Sequence, residues 1–244
     1  TLSKFFSCNL AQRLVEQGQR ADVLHVHNVL AHVANLNDFV AGIRLLLKDD
    51  GIAIIEVSYI KDLIDNVEFD TIYHEHLCYF SMSTLNHLFR RYGLLVVDVE
   101  RIPIHGGSLH IVVRRGNTEV NEQGNVASLL NEEEAWGVDR ASFYEGFGKK
   151  VERLSLDLKR MLGELKAQNK VIAAYGASAK GSTLLNYCKI GKETLDFVVD
   201  RSTVKQGLYS PGSHLPIFGP EYLMCQMPDI LLLLTWNFAD EILK

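Results

Sequence analysis

The densest group of chemically reactive side chains lies in residues 73–79. Two histidines, one carboxylate and two phenols occupy these seven positions, and Tyr73, Glu75 and His76 are the candidates for function. An imidazole changes charge near neutral pH, so it can act as a general base beside an orienting carboxylate. The stretch therefore suits removal of a proton from carbon, although an ordinary surface loop is the alternative interpretation. A zinc site is not expected, because His74 and His76 lack the spacing that places two ligands on one helix face.

A second unusual run, residues 175–182, is rich in small residues and contains Lys180. It matches neither the P-loop, since Lys180 precedes Gly181, nor the dinucleotide fingerprint, since Ser178 replaces the central glycine. A turn from a strand into a helix still exposes backbone N–H groups that attract phosphate. Asp200 follows 24 residues after Gly176 (200 minus 176), a spacing compatible with a ribose contact. The run predicts phosphate or nucleotide binding, with plain packing of a strand against a helix as the alternative.

Polar residues also follow two predicted strands. Asn28 is the last residue of the strand expected at 21–28, His32 follows it, and Tyr59 follows the apolar run 52–57. Open α/β sheets place their ligands at the carboxyl ends of strands, so these residues are candidate binding residues. A helix cap by Asn28 and a partly buried His32 are the alternative interpretation. A glycine loop beginning at His105 would let the backbone approach a ligand closely.

The spacing of apolar residues predicts alternating strands and helices. Expected strands are 21–28, 52–57, 94–99, 108–113, 170–175, 195–199 and 229–234, and expected helices are 35–48, 81–91, 183–188 and 238–244. Residues 117–125 form the best linker candidate, and 126–168 predict charged helices interrupted near Gly137. Alternation of this kind indicates a doubly wound α/β sheet.

Composition excludes several classes of protein. The 244 residues are 47% hydrophobic and 23% charged, with a net charge of −5 and no basic stripe, so a nucleic-acid partner is not expected. Apolar runs are too short to span a membrane, and the four cysteines are widely separated, which favours reduced thiols in a cytoplasmic protein. The chain opens on Thr1 in the middle of a pattern, so we expect a piece of a longer protein.

Four motifs occur in an order typical of one family. They are Asn28-Val29-Leu30-Ala31-His32-Val33, Phe69-Asp70-Thr71-Ile72-Tyr73-His74-Glu75-His76, His105-Gly106-Gly107-Ser108 and Tyr175-Gly176-Ala177-Ser178-Ala179-Lys180. Over residues 5–240 the chain resembles bacterial sugar C-methyltransferases, which act on nucleotide-diphosphate 4-keto-deoxysugars. The resemblance implies an S-adenosylmethionine-dependent enzyme that methylates C3 of the sugar through an enolate.

The resemblance also implies an organisation. Residues 1–116 would be part of a class I methyltransferase (Rossmann-like) sheet, 117–168 a linker and helical connector, and 169–244 a second Rossmann-like α/β domain. Family members carry an N-terminal zinc domain and a glycine-rich cofactor turn, neither of which this sequence contains. Zinc is therefore expected only in a missing domain, and we expect the chain to be cut at both ends.

Residue roles follow from the same resemblance. His76 would be the base, with Glu75 and Tyr73 beside it. The expected substrate contacts are Asn28, His32, Tyr59, His105 and Lys180, and the expected cofactor contacts are His27 and Asn28. Two other functions stay open: an oxidoreductase or epimerase that uses NAD through the second α/β unit, and a non-catalytic module that binds a nucleotide sugar.

Overall fold

The computed structural model describes residues 1–116 and 123–244. Most of the predicted linker 117–125 lies outside the described residues. The chain forms two compact units, one of Thr1–Asn66 with His74–Glu145 and the other of Val67–Tyr73 with Gly146–Lys244. The domain boundaries expected at 116 and 168 stay a prediction.

The first unit combines helices with a four-stranded sheet. Its helices are α1 (Cys8–Glu16), α2 (Leu36–Leu46), α3 (Ile60–Asp65), α4 (Met82–Arg90), α5 (Gly124–Trp136) and α6 (Ala141–Glu145). Its strands are β1 (Ala21–His27), β2 (Leu47–Ser58), β3 (Leu94–Ile102) and β4 (Ser108–Arg115), and 3-10 turns cover Leu30–His32 and Ile104–Gly106.

The sheet of the first unit is mixed. Its strand order is β1-β2-β4-β3, with β1 parallel to β2 and β4 antiparallel to both of its neighbours. Because β3 and β4 are consecutive in the chain, a short connection joins them as an antiparallel pair. Ile55, Leu109 and Ile111 are fully buried in the core between this sheet and α2, α4 and α5.

The second unit contains a smaller parallel sheet. Its strands are β5 (Ile172–Tyr175), β6 (Phe197–Val199), β7 (Ile217–Phe218) and β8 (Ile230–Leu233), in the order β7-β6-β5-β8. Its helices are α7 (Phe147–Ala167), α8 (Ala179–Tyr187), α9 (Tyr222–Gln226) and α10 (Ala239–Ile242), with 3-10 turns at Phe69–Thr71 and Trp236–Phe238. The α/β fold class and its Rossmann-like character are therefore confirmed.

Three expectations about elements need correction. The helix predicted at 35–48 ends at Leu46, because the strand predicted at 52–57 already begins at Leu47. The helix predicted at 183–188 begins at Ala179, because the Ser178 hydroxyl accepts the N–H of Gly181 and caps it four residues earlier. The continuous apolar run of the strand predicted at 229–234 is typical of a buried strand, but the structure places it at the edge of the sheet, where Leu231 is 43% exposed. Within 1–116 and 123–244, no helix has both the length and the apolar character required to cross a bilayer.

The Gly107→Ala variant tests how tightly the loop before β4 is packed. The φ of Gly107 is +139°, and an added Cβ would overlap the Asp62 carboxylate, which is 7% exposed and bound to Arg101. We expect Gly107→Ala to lower the free energy of unfolding of the first unit by about 3 kcal/mol, measured by urea denaturation.

Gly18→Ala is the matched control for Gly107→Ala. Gly18 has a φ of +76° with no neighbouring atom within 4 Å, so alanine there meets backbone strain without a clash. We expect a loss of about 1 kcal/mol. Equal losses for the two variants would contradict the proposed packing of Asp62 against Gly107.

Candidate functional site

A polar cluster lies at the carboxyl end of β1. The parallel register places His27 beside Glu56 of β2, whose side chain is largely buried. The Asn28 amide donates to Glu56 Oε1 at 2.6 Å, and His27 Nδ1 lies 3.3 Å from Glu56 Oε2. Asn28 has a φ of +52°, a left-handed conformation that asparagine tolerates better than most residues. The two expected cofactor contacts are thus gathered around one carboxylate.

Two further histidines join this cluster, and sequence reasoning missed both. His25 Nδ1 lies 3.3 Å from His27 Nε2, and the His110 ring centroid lies 6.3 Å from that of His27. Alternation along β1 was a usable signal for His25, because residues two apart share a face. His110 could be recognised only from the strand order, because it lies opposite Glu56 in the pairing of β2 with β4. Among the residues that the structure describes, no group of His, Cys, Asp and Glu is arranged to hold a metal ion.

His32 and the reactive loop form a second cluster in the first unit. His32 Nδ1 lies 2.8 Å from the Glu75 carbonyl oxygen. A carbonyl oxygen only accepts, so Nδ1 carries the proton and a neutral His32 presents a lone pair at Nε2. The ring centroids of His32 and His76 are 4.9 Å apart, and that of Tyr79 is 6.4 Å from His76. The structure therefore brings together His32, Glu75 and His76.

Main-chain hydrogen bonds anchor the loop 74–80. The Leu77 N–H donates to the Ala31 carbonyl at 2.7 Å, and the Ile60 N–H donates to the Phe80 carbonyl at 2.9 Å. Tyr59 and Phe80 also form a single parallel bridge. Between these two anchors the backbone follows no helix or strand. The position of His76 is therefore set by the backbone of Tyr59 and Ile60, directly after β2, and by the turn Leu30–His32.

The predicted substrate contact of Tyr59 does not fit the structure. Tyr59 is 1% exposed, and its hydroxyl donates to Glu133 Oε1 at 2.9 Å. Burial, together with the Glu133 carboxylate, raises the pKa of Tyr59 far above the usual tyrosine range, so the phenol stays protonated. Its environment assigns Tyr59 a structural role at the end of β2.

Tyr73 and His105 are two further predicted site residues, and they belong to different units. Tyr73 belongs to the second unit, whereas Glu75 and His76 belong to the first, so the grouping of these three residues stays a prediction. His105 is half-buried in the turn Ile104–Gly106, with a φ of +58°. Backbone conformations of that kind are often found at ligand sites.

Lys180 lies in the second unit beside a buried carboxylate. Its Nζ is 4.5 Å from the centre of the Trp236 ring, and the Trp236 N–H donates to Asp70 Oδ2 at 2.8 Å. Asp70 is 3% exposed. Burial raises the pKa of Asp70, and burial lowers the pKa of Lys180, with each charge partly offsetting the other's shift.

The turn before α8 uses much of its hydrogen-bonding capacity internally. The Ala177 N–H donates to Asp200 Oδ2 at 2.7 Å, and the Gly181 N–H donates to the Ser178 hydroxyl at 3.0 Å. Asp200 also accepts the Ser202 N–H at 2.7 Å. Two donors expected to bind phosphate are thus already engaged, and Asp200 closes the turn where a ribose contact was expected.

A cavity of about 230 Å³ opens at the carboxyl ends of the second sheet. Residues at the ends of three of its strands line it: Tyr175, the last residue of β5, with Gly176, then Asp200 and Arg201 after β6, and Thr235 and Phe238 after β8. The chain leaves β5 for β6 and β7 on one side and returns to β8 on the other, and such reversals are where α/β sheets bind ligands. The Thr235 hydroxyl oxygen is buried there without a hydrogen-bond partner among the described residues.

Mixed and parallel sheets with polar clusters at their strand ends are typical of α/β enzymes that act on small molecules. Residues 5–99 match the family described as methyltransferase domain, and residues 103–244 match the family described as C-methyltransferase C-terminal domain. The C-methyltransferase NovU of Streptomyces niveus is 34% identical over 243 residues, covering 100% of this chain and 58% of that protein. The chain belongs to the C-methyltransferase family, and it spans little more than half the length of this curated relative.

Similarity to solved structures is low. An O-methyltransferase family protein from Burkholderia thailandensis is 14% identical with a TM-score of 0.35, over 48% of this chain and 35% of that one. A methyltransferase solved in complex with the Haloferax volcanii Trm112 activator is 16% identical with a TM-score of 0.35, over 41% and 56% of the two chains. These similarities are too weak to bear on function.

Asp70→Asn tests the electrostatics of the second unit. Because the folded-state pKa of Asp70 is raised above its ordinary value of 3.8, its ionised form destabilises the fold, and this cost is absent below pH 3.8. The cost appears as the pH rises through the folded-state pKa. We expect Asp70→Asn to unfold at a higher temperature than wild type at pH 7.5, with the difference closing towards pH 4, measured by calorimetry.

Asp229→Asn provides a control with the opposite sign. Lys170 and the Val171 N–H lower the pKa of Asp229, so its ionised form stabilises the fold above pH 3.8 and that contribution is lost as the pH falls through the lowered pKa. This variant should therefore be less stable than wild type at pH 7.5. An Asp70→Asn protein that also loses stability at pH 7.5 would contradict the proposed cost of burying Asp70.

Proposed function

We propose that this chain is the substrate-binding and catalytic part of an enzyme that transfers a methyl group from S-adenosylmethionine to C3 of a nucleotide-diphosphate 4-keto-deoxysugar. Membership of the C-methyltransferase family supports the transfer to carbon. The observation that carries the proposal further is the cluster of His32, Glu75 and His76, because methylation of a carbon next to a ketone first requires a base that forms the enolate. A hydrogen on the carbon next to a ketone is acidic enough for an imidazole to remove.

His76 is the proposed base, and His32 is its neighbour of fixed orientation. The Glu75 carbonyl holds the Nδ1 proton of His32, so only a protonated His32 has a second N–H to offer an enolate oxygen. Tyr73 is a second candidate donor to the enolate oxygen.

The residues at the end of β1 fit a cationic cofactor. S-adenosylmethionine supplies an electrophilic methyl group on a positively charged sulfur. The Glu56 carboxylate, with Asn28 and the exposed His27 ring around it, provides a negative and polar surface. His27 and Asn28 would hold the cofactor, and Glu56 would fix their orientation. Zinc in a separate domain stays a prediction from the resemblance.

The second unit is the proposed site for the nucleotide. Its cavity at the carboxyl ends of β5, β6 and β8 is lined by Thr235, whose hydroxyl oxygen is buried, and by Arg201, which also pairs with Glu241 at 3.7 Å. An arginine suits a diphosphate, and a buried hydroxyl suits a ribose or base. Lys180 is a further candidate for the substrate side, since it bears a cost of burial that an anionic ligand would offset.

His76→Ala is the direct test of the proposed base. In the protein at its natural length, we expect kcat for methyl transfer to fall by about 10²–10⁴-fold, while the Kd for the nucleotide sugar changes less than about threefold. His87→Ala is the matched control, because His87 lies exposed on α4 outside the cluster. Unchanged turnover in His76→Ala would disprove the assignment of the base.

Ligand binding distinguishes the proposed function from its alternatives. Calorimetry with S-adenosylmethionine and with dTDP-4-keto-sugars should show binding of both, followed by transfer of a labelled methyl group to carbon. Fluorescence titration with NADH should show no saturable binding, because Ser178 occupies the position of the central glycine and caps α8 with its own hydroxyl. Tight NADH binding without methyl transfer would favour an oxidoreductase. Sugar binding without cofactor binding would favour a non-catalytic module.

A further inference from the structure

Glu133 of α5 is a charged residue buried in the first unit. It is 1% exposed, and its carboxylate accepts hydrogen bonds from two side chains and two backbone N–H groups. Oε1 receives the Tyr59 hydroxyl at 2.9 Å and the Met82 N–H at 2.6 Å, and Oε2 receives the Ser83 N–H at 2.8 Å and the Ser83 hydroxyl. Leaving such a group unsatisfied is expensive, so this complete set of donors requires a specific arrangement of three elements.

Those elements are the ones that enclose the reactive loop. Met82 and Ser83 form the first turn of α4, immediately after the loop ends, and α4 directs the positive end of its dipole at the carboxylate. Tyr59 follows β2, and its backbone is bridged to Phe80, the last residue of the loop. One side chain therefore holds the end of the loop from both sides.

The start of the same loop is held independently. The Leu77 N–H donates to the Ala31 carbonyl, and His32 donates to the Glu75 carbonyl. Glu133 contacts none of these residues through a hydrogen bond that the structure describes. Its influence on His76 would therefore pass along the four residues between His76 and Ser81, through the anchor at Phe80.

We infer that Glu133 is a positioning residue for the proposed base, through a clamp defined as Glu133, Tyr59 and the α4 residues Met82 and Ser83. This inference rests on the proposed function, in which His76 removes the proton. The clamp fixes the distance between the imidazole and its neighbour His32. A displacement of about 1 Å in a reacting group can slow catalysis by about 100-fold.

Glu133→Gln is the informative substitution. An amide keeps the volume of the carboxylate but has one accepting oxygen, so its NH₂ group must face the N–H of Met82 or of Ser83. Glu134→Gln is the matched control, since Glu134 is the next residue on α5 and is exposed. Circular dichroism and melting temperature establish that each variant is folded.

Cys78 reports the position of the loop without any assay of activity. Cys78 is half-buried within the loop and packs against the hydrophobic core of the first unit. Cys225 is exposed in the second unit and serves as the internal reference. Under native conditions, we expect N-ethylmaleimide to label Cys78, relative to Cys225, about tenfold faster in Glu133→Gln than in wild type. Glu134→Gln should match wild type.

Kinetics of the protein at its natural length complete the test. Glu133→Gln should lower kcat by about 100-fold while the KM for the sugar changes less than about twofold, because binding contacts persist and alignment is lost. A loss of stability alone would leave kcat per folded molecule unchanged. If Glu133→Gln does not fold, the Tyr59→Phe Ser83→Ala double variant replaces it, since it removes two hydroxyl donors and retains the carboxylate.

The outcomes separate the clamp from the proposed function. Faster labelling of Cys78 with lower kcat supports the clamp. A folded Glu133→Gln protein, or double variant, with wild-type labelling and wild-type kcat overturns it. If the labelling of Cys78 changes and kcat does not, the clamp has no catalytic role. Absence of methyl transfer in the wild-type protein would overturn the proposed function, and Cys78 labelling would still show whether Glu133 holds the loop.

Discussion

The pairing of β2 with two different neighbours is the constraint on which the first unit depends. β2 lies parallel to β1 on one side and antiparallel to β4 on the other. The parallel side aligns the carboxyl ends of two strands, so His27 and Asn28 reach Glu56. The antiparallel side brings His110 to the same residue. A shift of one residue in either register would turn Glu56 to the opposite face of the sheet and separate this cluster.

The two units treat buried charge in different ways. In the first unit, the Glu133 carboxylate is matched by donors on both oxygens, and it serves as a point of attachment for three elements. In the second unit, burial outweighs the Trp236 hydrogen bond and the nearby Lys180 charge, so the pKa of Asp70 is raised. Groups with strongly perturbed pKa values cluster at functional sites. This contrast is one reason to assign Glu133 a structural role and to propose that Asp70 and Lys180 take part in ligand binding.

Local patterns predicted the elements well, and the strand-end positions of Asn28 and His32 followed from them. The sequence did not predict which polar side chains form hydrogen bonds within the fold in place of a ligand. Tyr59 was expected at the substrate because it follows a strand, but its hydroxyl binds Glu133, 74 residues later in the chain. The signal for Glu133 was its spacing, since it lies seven residues after Val126 and four after Leu129, on the buried face of α5. Asp200 likewise was expected at a ribose, and only the folded turn shows that it binds the Ala177 N–H.

The two ways of holding polar residues in the first unit have different consequences for evolution and for engineering. His27, Asn28 and Glu56 orient one another through side chains, so a change in one disturbs the other two. The reactive loop is anchored chiefly through main-chain atoms of Leu77 and Phe80, which accept almost any side chain at those positions. Side chains within the loop can therefore change the chemistry while the backbone stays in place. The exceptions are the residues that hold the anchors from outside the loop: Tyr59 directly after β2, Met82 and Ser83 at the start of α4, and Glu133 on α5, which is 53 residues after Phe80 (133 minus 80).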